Sequence, residues 1–519
     1  MSLVPSYDVY RDLLVRDERT GIEFDFAFLG FEERHYASFA TAFERVFREM
    51  RELEAGAIAN PDEKRAVGHY WLRAPELAPG DLGATIETER SAVQSFARDV
   101  KTGTIFPPRG GRYTTCCLIG IGGSALGPQL VIDALGDPHA GLHFVCLDNT
   151  DPDGIARTLS RIELAKTLFV VISKSGGTKE TRNAMLEAAA RMQDAGLDFA
   201  KQAVAVTGRD SELDRHARET GWIARFPMHD WVGGRTSVCS AVGILPCELC
   251  GVDMSAFLEG AKLMDTSTRD ESIVSNPAAR LTIALWLAAE GRGSKNLVVL
   301  PYCDRLLLLG RYLQQLVMES LGKALDLEGK RVAQGLTVYG NKGSTDQHAY
   351  VQQLRDGVED FFVCFVRVLK AGGSSLEVDP GVTSADYLHG FWLGTRRALA
   401  EQGRRSLTIT VPHLGARELG MLVALFERVV GYYASLAGIN AYHQPGVEAG
   451  KRGASDALTL RAGLLEALDD KTPLTVEELA ARVRAEDLVT AHELLRHMAA
   501  NGSVTGVEAV GSDRFRRVR

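Results

Sequence analysis

A loop rich in hydroxyl groups has the composition of a phosphate-binding site. The segment SKSGGTKET, residues 173–181, follows the apolar run VVI and begins a helical stretch. Hydroxyls and free backbone amides at a helix start suit a phosphate monoester, because they supply directed donors beside the positive end of the helix dipole. The candidate ligands are Ser173, Lys174, Ser175, Thr178 and Thr181. A polar helix cap is the alternative interpretation.

A second loop, GIGGS at 120–124, also follows an apolar run and precedes a helix. Its glycines allow a ligand to approach the backbone closely, so Gly123 and Ser124 are further candidates for phosphate binding. A dinucleotide site is disfavoured, since Ala125 stands where that fingerprint has its third glycine. Neither loop has the G-x-x-x-x-G-K-[ST] pattern of a nucleoside triphosphate site. The two loops therefore predict recognition of a simple phosphate ester.

The carboxylate of Glu319 ends a leucine-rich run, LLLLGRYLQQLVME. With an α-helical period, this residue flanks the apolar stripe of the helix and does not interrupt it. Lys323, four residues later, would then form a solvated ion pair with it. Position alone leaves both that pair and a proton-transfer role open.

Short apolar runs alternate with helical stretches from about residue 113 onward. Strands that are apolar on both faces and separated by helices are typical of parallel sheets covered by helices. We therefore predict an α/β fold with two similar domains in tandem, preceded by a helical segment. The predicted boundaries are 1–110 for the helical segment, 111–285 and 286–465 for the two α/β domains, and 470–519 for a C-terminal appendage.

The appendage reads as two helices followed by a small hairpin, which is the order of a winged helix. Three interpretations stay open for it: a packing or dimer-contact element, a partner-binding module, and a DNA-binding module. The eight basic residues there are matched by eight acidic ones, which disfavours nucleic acid.

Composition is that of a soluble globular protein, with 519 residues, 45% of them hydrophobic and 24% charged. A formal net charge of -8 argues against a general nucleic-acid binder. No stretch reaches the roughly 18 to 20 uncharged apolar residues that a membrane span requires, and the N-terminus lacks the charged-then-apolar order of a signal peptide, so we expect a cytoplasmic protein. Cys247 and Cys250 form a lone Cys-x-x-Cys, which we interpret as two buried thiols because no second ligand pair is evident.

Six motifs in series resemble the glucose-6-phosphate isomerase family, which is built from two sugar-isomerase domains. They span about residues 110–460 and occur in the order found in that family: GIGGSALGP, SKSGGTKET, VGGRTSVCSAVG, QQLVMESLGK, TDQHAY and NAYHQPGVEAGK. The resemblance implies reversible isomerisation of glucose 6-phosphate and fructose 6-phosphate through a cis-enediol, without a cofactor or a metal. It also implies a homodimer.

The resemblance also implies a role for single residues. Glu319 matches the carbon base, His348 the ring-opening residue, Lys451 its helper at the ring oxygen, and Arg235 the cation near the enediolate. Gln315 would line the same face, and the two loops would hold the phosphate. Two positions depart from the family pattern, because Thr236 replaces a common aromatic residue and Gly177 replaces a common hydroxyl residue.

Two other functions remain open from the sequence. The first is another aldose-ketose isomerase that acts on a related sugar phosphate. The second is a sugar-phosphate-sensing regulator, since sugar-isomerase domains also occur joined to DNA-binding helices. A sensor needs the phosphate loops but not the base, so the joint presence of the four catalytic candidates disfavours it.

Overall fold

The computed structural model describes residues 2–518. The chain forms two compact units, of which the first ends at His443 and the second begins at Gln444. The first unit contains two separate sheets flanked by helices, which confirms the α/β class predicted from the sequence. The domain boundaries given above stay predictions.

The N-terminal segment is mostly helical but also contains two short strands that the sequence pattern did not predict. Its elements are α1 (Tyr7–Asp12), β1 (Leu14–Arg16), β2 (Glu23–Asp25), α2 (Glu33–Ala37), α3 (Ala40–Glu54) and α4 (Leu82–Thr102). Helix α3 buries the apolar face formed by Phe43, Val46, Phe47, Met50 and Leu53. Strands β1 and β2 are only three residues long, too short for an alternating pattern to stand out in the sequence.

The first sheet has five parallel strands in the order β4-β3-β5-β6-β7. Its elements are β3 (Thr115–Ile119), α5 (Leu126–Leu135), β4 (His143–Leu147), α6 (Pro152–Leu159), β5 (Thr167–Ile172), α7 (Lys179–Asp194), β6 (Ala203–Gly208), α8 (Glu212–Glu219), β7 (Ala224–Met228) and α9 (Ala241–Leu249). Strands β3 and β5 are buried along their whole length, as strands covered on both faces must be. Their carboxyl ends therefore deliver the two predicted phosphate loops to one edge of the sheet.

The second sheet has six strands in the order β1-β2-β15-β12-β8-β11, and β11, β8, β12 and β15 are parallel. Helices α10 (Met254–Thr268) and α11 (Pro277–Ala288) precede it. Its elements are β8 (Asn296–Tyr302), α12 (Leu309–Leu313), β9 (Lys323–Leu325), β10 (Arg331–Gln334), β11 (Val338–Tyr339), α13 (Val351–Asp356), β12 (Phe361–Val368), β13 (Glu377–Asp379), β14 (Val382–Thr383), α14 (Ser384–Glu401), β15 (Ser406–Val411) and α15 (Ala416–Ala437).

Helix α15 lies in the core of the first unit. It is long and apolar enough to cross a membrane, but 89% of its most apolar window is buried inside the protein, as in the core helix of a globular domain. It also carries Glu427 and Arg428, which form a buried ionic network with groups from other elements. In this network Arg73 Nη2 lies 3.0 Å from Asp265 Oδ1, and Arg428 Nη2 lies 3.3 Å from the same oxygen. The network attaches the N-terminal segment to α10 and α15.

The second unit has its own small core. Its elements are α16 (Pro445–Ala467), β16 (Leu474–Thr475), α17 (Val476–Val483), α18 (Leu488–Ala500), α19 (Gly502–Thr505), β17 (Val507–Val510) and β18 (Arg514–Arg517). The three strands form an antiparallel sheet in the order β16-β18-β17. Leu464 and Leu468, at the end of α16, are buried in this core. The unit thus includes α16 as well as the residues of the predicted appendage.

Candidate active site

Glu319 stands on a π-helical segment, and not on the regular α-helix that its apolar period predicted. Helix α12 changes at Gln314 to a π-helix that runs to Glu319, so the six residues QQLVME are wound more loosely. Short π-helical turns within helices occur frequently at functional sites. Gln315 and Glu319 remain about one turn apart and thus lie on related faces of this segment.

Arg235 and Glu319 face each other. Arg235 lies in a 3-10 turn, Gly234–Thr236, and its Nε is 3.3 Å from Glu319 Oε2. The two side chains are 6% and 21% exposed, respectively. Burial lowers the pKa of Arg235 from its ordinary value, and the Glu319 carboxylate opposes that shift. Because arginine remains protonated in proteins, a fixed cation stands beside the carboxylate.

Backbone carbonyls hold the Arg235 guanidinium in place. Its Nη1 donates to the carbonyl oxygen of Ala441 at 3.0 Å and to Ser320 Oγ at 3.2 Å, and its Nη2 donates to the carbonyl oxygen of His443 at 3.4 Å. Thr236, the departure from the family pattern, is buried in the same turn and its hydroxyl donates to the Gly233 carbonyl at 3.3 Å. The turn is therefore fixed without an aromatic residue.

The first glycine-rich loop packs directly on the arginine turn. A Cβ atom at Gly123 would lie 2.1 Å from the carbonyl oxygen of Gly234, so only glycine fits there. A Cβ atom at Gly122 would lie 3.1 Å from Gln315 Nε2. The loop, the arginine turn and the π-helix thus meet, which brings together three of the motifs predicted from the sequence.

The hydroxyl-rich loop begins at the end of β5, beside the first loop. A Cβ atom at Gly120 would lie 3.1 Å from Ser124 Cβ and 3.3 Å from the carbonyl oxygen of Ile172, the residue before Ser173. Helices α5 and α7 start from these two loops, and neither has a side-chain cap on its first amides. Uncapped amides at two adjacent helix starts can receive an anion.

Hydroxyl groups within the second loop organise its backbone. Ser173 Oγ accepts from the Gly176 amide at 3.1 Å, and Ser175 Oγ accepts from the Gly177 amide at 3.1 Å. Thr181 is 3% exposed, and its Oγ1 has no hydrogen-bond partner in the described part of the chain. A buried hydroxyl without a partner carries a free-energy cost that a ligand oxygen would remove.

Lys174 joins the hydroxyl-rich loop to the segment that precedes the arginine turn. Its Nζ donates to the carbonyl oxygens of Asp230 at 2.9 Å and Val232 at 3.1 Å. Burial, followed by the nearby charge of Arg65, lowers the pKa of Lys174 to about 8. These contacts indicate that Lys174 positions two loops.

His348 lies in the first unit and Lys451 in the second. His348 ends a 3-10 turn, Thr345–His348, and is exposed. The preceding Gln347 attaches this turn to α14 through a 3.2 Å hydrogen bond to the Phe391 carbonyl. Lys451 lies on α16 in the second unit, where its Nζ is 2.8 Å from Glu448 Oε1.

Lys323 was missed as a site residue, because the sequence suggested only a solvated pair with the Glu319 carboxylate. The structure buries Lys323 and directs its ammonium to the Glu319 backbone carbonyl instead. An i, i+4 spacing shows that two residues are neighbours on a helix but not whether another segment covers them. Cys247 and Cys250 are buried in the core, as expected from the sequence.

The family model described as phosphoglucose isomerase matches residues 33–381 and 395–464. The chain belongs to this family. A glucose-6-phosphate isomerase from Geobacter sulfurreducens is 56% identical over 499 residues, covering 95% of this chain and 94% of the relative. One from Geotalea daltonii is 54% identical over 508 residues, covering 96% of both chains. The sequence-based resemblance is thereby confirmed.

A solved structure of a phosphoglucose isomerase family member has the same fold. The glucose-6-phosphate isomerase from Chlamydia trachomatis superposes with a TM-score of 0.79 at 25% identity, covering 89% of this chain and 93% of that one. This chain is therefore an aldose-ketose isomerase, and its reaction is the reversible interconversion of glucose 6-phosphate and fructose 6-phosphate.

Proposed function

We propose that Glu319 is the base that moves the proton between C1 and C2 of the open-chain substrate. The convergence of motifs around it supports this assignment most directly. Arg235 faces its carboxylate, Gln315 lies one turn away beside Gly122, and the phosphate loops begin at the adjacent sheet edge. This arrangement offers a phosphate anchor, a carboxylate and a fixed cation within one unit.

In the direction from fructose 6-phosphate, the Glu319 carboxylate takes a proton from C1 and the electron pair passes toward the C2 carbonyl oxygen. The product of this step is a cis-enediolate, whose negative charge Arg235 stabilises. The hydroxyl proton then passes from O1 to O2, which moves the negative charge to O1, and the carboxylic acid returns its proton to C2, which gives the open-chain aldose with its carbonyl at C1. Donors placed where charge develops lower the barrier because they need no rearrangement during the reaction.

The phosphate binds to the two loops in this proposal. Gly123 and Ser124 contribute from the first loop, and Ser173, Ser175, Thr178 and Thr181 from the second. Lys174 holds the second loop against the segment before Arg235 and adds positive charge beside the phosphate. The Gly177 amide donates to Ser175 Oγ. This hydrogen bond orders the backbone of the loop and offsets the missing hydroxyl at position 177.

His348 opens the ring, assisted by Lys451 at the ring oxygen, in keeping with the motif resemblance. We propose a homodimer in which the exposed His348 of one subunit serves the Glu319 of the other. The enzyme would act in the cytoplasm, on a free sugar phosphate and without nucleic acid. A proton transfer of this kind needs no cofactor.

Isomerisation in deuterium oxide tests the enediol route. Fructose 6-phosphate is incubated with the purified enzyme in deuterium oxide, and the deuterium at C2 of the glucose 6-phosphate formed is measured by NMR. A proton held by a carboxylate exchanges with solvent, so we expect a measurable deuterium fraction at C2, absent from a control without enzyme. Active turnover with no deuterium at C2 would contradict the enediol proposal and indicate a direct hydride shift.

A further inference from the structure

Lys323 is a buried lysine that lies directly behind the proposed base. It is the first residue of β9, only 4% exposed, and four residues after Glu319. Its Nζ donates to the backbone carbonyl of Glu319 at 2.6 Å and to the backbone carbonyl of His443 at 3.1 Å. Burial of an ammonium costs free energy. The burial of this lysine against two carbonyl acceptors therefore needs an explanation beyond packing.

The His443 carbonyl is shared by both cations of the site. It accepts from Lys323 Nζ at 3.1 Å and from Arg235 Nη2 at 3.4 Å. Arg235 Nε in turn lies 3.3 Å from Glu319 Oε2. The base is therefore held at two points, through its carboxylate by Arg235 and through its backbone by Lys323. Both cations also donate to the same His443 carbonyl.

Glu319 also lies in the last turn of its helix, where the carbonyls need such support. The π-helical segment stops at this residue, the helix itself ends at Leu321, and β9 begins at Lys323. The last carbonyls of a helix lack donors within the helix, and a positive charge there is favourable to the helix dipole. The Lys323 ammonium supplies both a donor and a charge at that end.

We propose that Lys323 is a positioning residue for the proton transfer, which ties the backbone of Glu319 to the carbonyl that also holds Arg235. It does not touch substrate in this role. It sets the distance between the base and the cation that stabilises the enediolate. The inference rests on the assignment of Glu319 as the base.

The charges around Lys323 predict a pH dependence of activity that tests the proposal. Burial, followed by the charge of Arg235, lowers the pKa of Lys323 to about 8, while Glu319 and Asp62 oppose the shift. The ring of His443 faces Asp62 at 3.6 Å. Lys323 is thus protonated well below pH 8 and loses its positive charge as the pH rises through its pKa of about 8. We expect kcat to fall over the same range.

The test compares Lys323→Met and Lys323→Arg with the wild type, and uses Lys330→Met as the matched control. Lys330 is an exposed lysine in the turn between β9 and β10. Lys323→Met keeps the aliphatic stem but removes the charge, so we expect kcat to fall about 10²-fold, as for a catalytic group displaced by about 1 Å. KM should change less than about threefold, since phosphate binding is untouched. Lys330→Met should match the wild type.

Lys323→Arg carries a charge that does not titrate in this range. It should retain more activity than Lys323→Met and should lack the decline of kcat near pH 8. A merely structural lysine would alter thermal stability and leave kcat and the pH profile of the folded enzyme unchanged. Wild-type kcat in Lys323→Met, a loss carried by KM alone, or an unchanged decline in Lys323→Arg would overturn the proposal. If one of these outcomes occurs and Glu319→Gln is also active, the base assignment itself is wrong. If Glu319→Gln is inactive, only the proposed role of Lys323 is wrong.

Discussion

The Arg235 guanidinium and the Glu319 carboxylate form a partly buried pair, with Nε and Oε2 3.3 Å apart. During the proposed reaction, Glu319 becomes neutral when it takes the proton, and the enediolate acquires the negative charge. Arg235 therefore keeps an anionic neighbour throughout, first the carboxylate and then the substrate oxygen. The free-energy cost of burying the Arg235 cation arises at folding, so no charge has to be desolvated during turnover.

Replacement of Arg235 should affect the chemical step more than substrate binding. We expect Arg235→Met to lower kcat by about 10²- to 10³-fold, the range seen when a donor to a developing oxyanion is removed. Arg235→Lys keeps the charge but not the planar set of donors, and should lose less. Steady-state kinetics measure both effects. An increase of KM with unchanged kcat would show that Arg235 only binds substrate.

The unpartnered hydroxyl of Thr181 should meet a phosphate oxygen. Thr181→Val removes that donor, and a lost hydrogen bond to a charged group costs about 1–3 kcal/mol, or roughly 10- to 100-fold in binding. We expect KM for fructose 6-phosphate and the inhibition constant of inorganic phosphate to rise together. Thr181→Ser is the matched control and should stay close to the wild type. Wild-type binding of inorganic phosphate by Thr181→Val would remove this residue from the site.

Two inactive variants should restore activity when they are mixed. If His348 of one subunit serves Glu319 of the other, a heterodimer of Glu319→Gln and His348→Gln contains one intact site and one doubly altered site. Random exchange makes half of the dimers mixed, so about a quarter of wild-type activity should return. The assay follows activity after the mixed variants are dissociated and reassociated. No recovery from a mixture shown to contain heterodimers would place both residues in the same subunit's site.

Removal of residues 469–519 should weaken the second unit. Leu464 and Leu468 would lose the core that buries them, so the thermal midpoint should fall by several degrees, as is common when about 1 kcal/mol or more is lost. We expect kcat at low temperature to be retained, because the phosphate loops, Arg235 and Glu319 all lie in the first unit. Scanning calorimetry and steady-state assays measure both. A folded but inactive truncated protein would show that these residues help to form the site or the dimer.

The alternation of apolar runs and helices predicted the parallel strands of the two sheets, since strands buried on both faces leave a strong signal in the sequence. The two loops and Arg235 were found through motifs, and the structure brings them together. The π-helix could not be predicted, because a single looser turn hardly changes an apolar period. The role of Lys323 depends on the carbonyl of His443, which lies 120 residues away in the chain, so no local pattern could reveal it.

Turnover by Glu319→Gln tests the central claim most directly. The substitution keeps the size of the side chain and removes the carboxylate that would take the proton. A coupled assay of fructose 6-phosphate conversion to glucose 6-phosphate is run on the wild type and the variant, with phosphate inhibition as a check on binding. We predict a fall in kcat of at least about 10²-fold with phosphate binding retained. Near-normal turnover by the variant would contradict the assignment of Glu319 as the base.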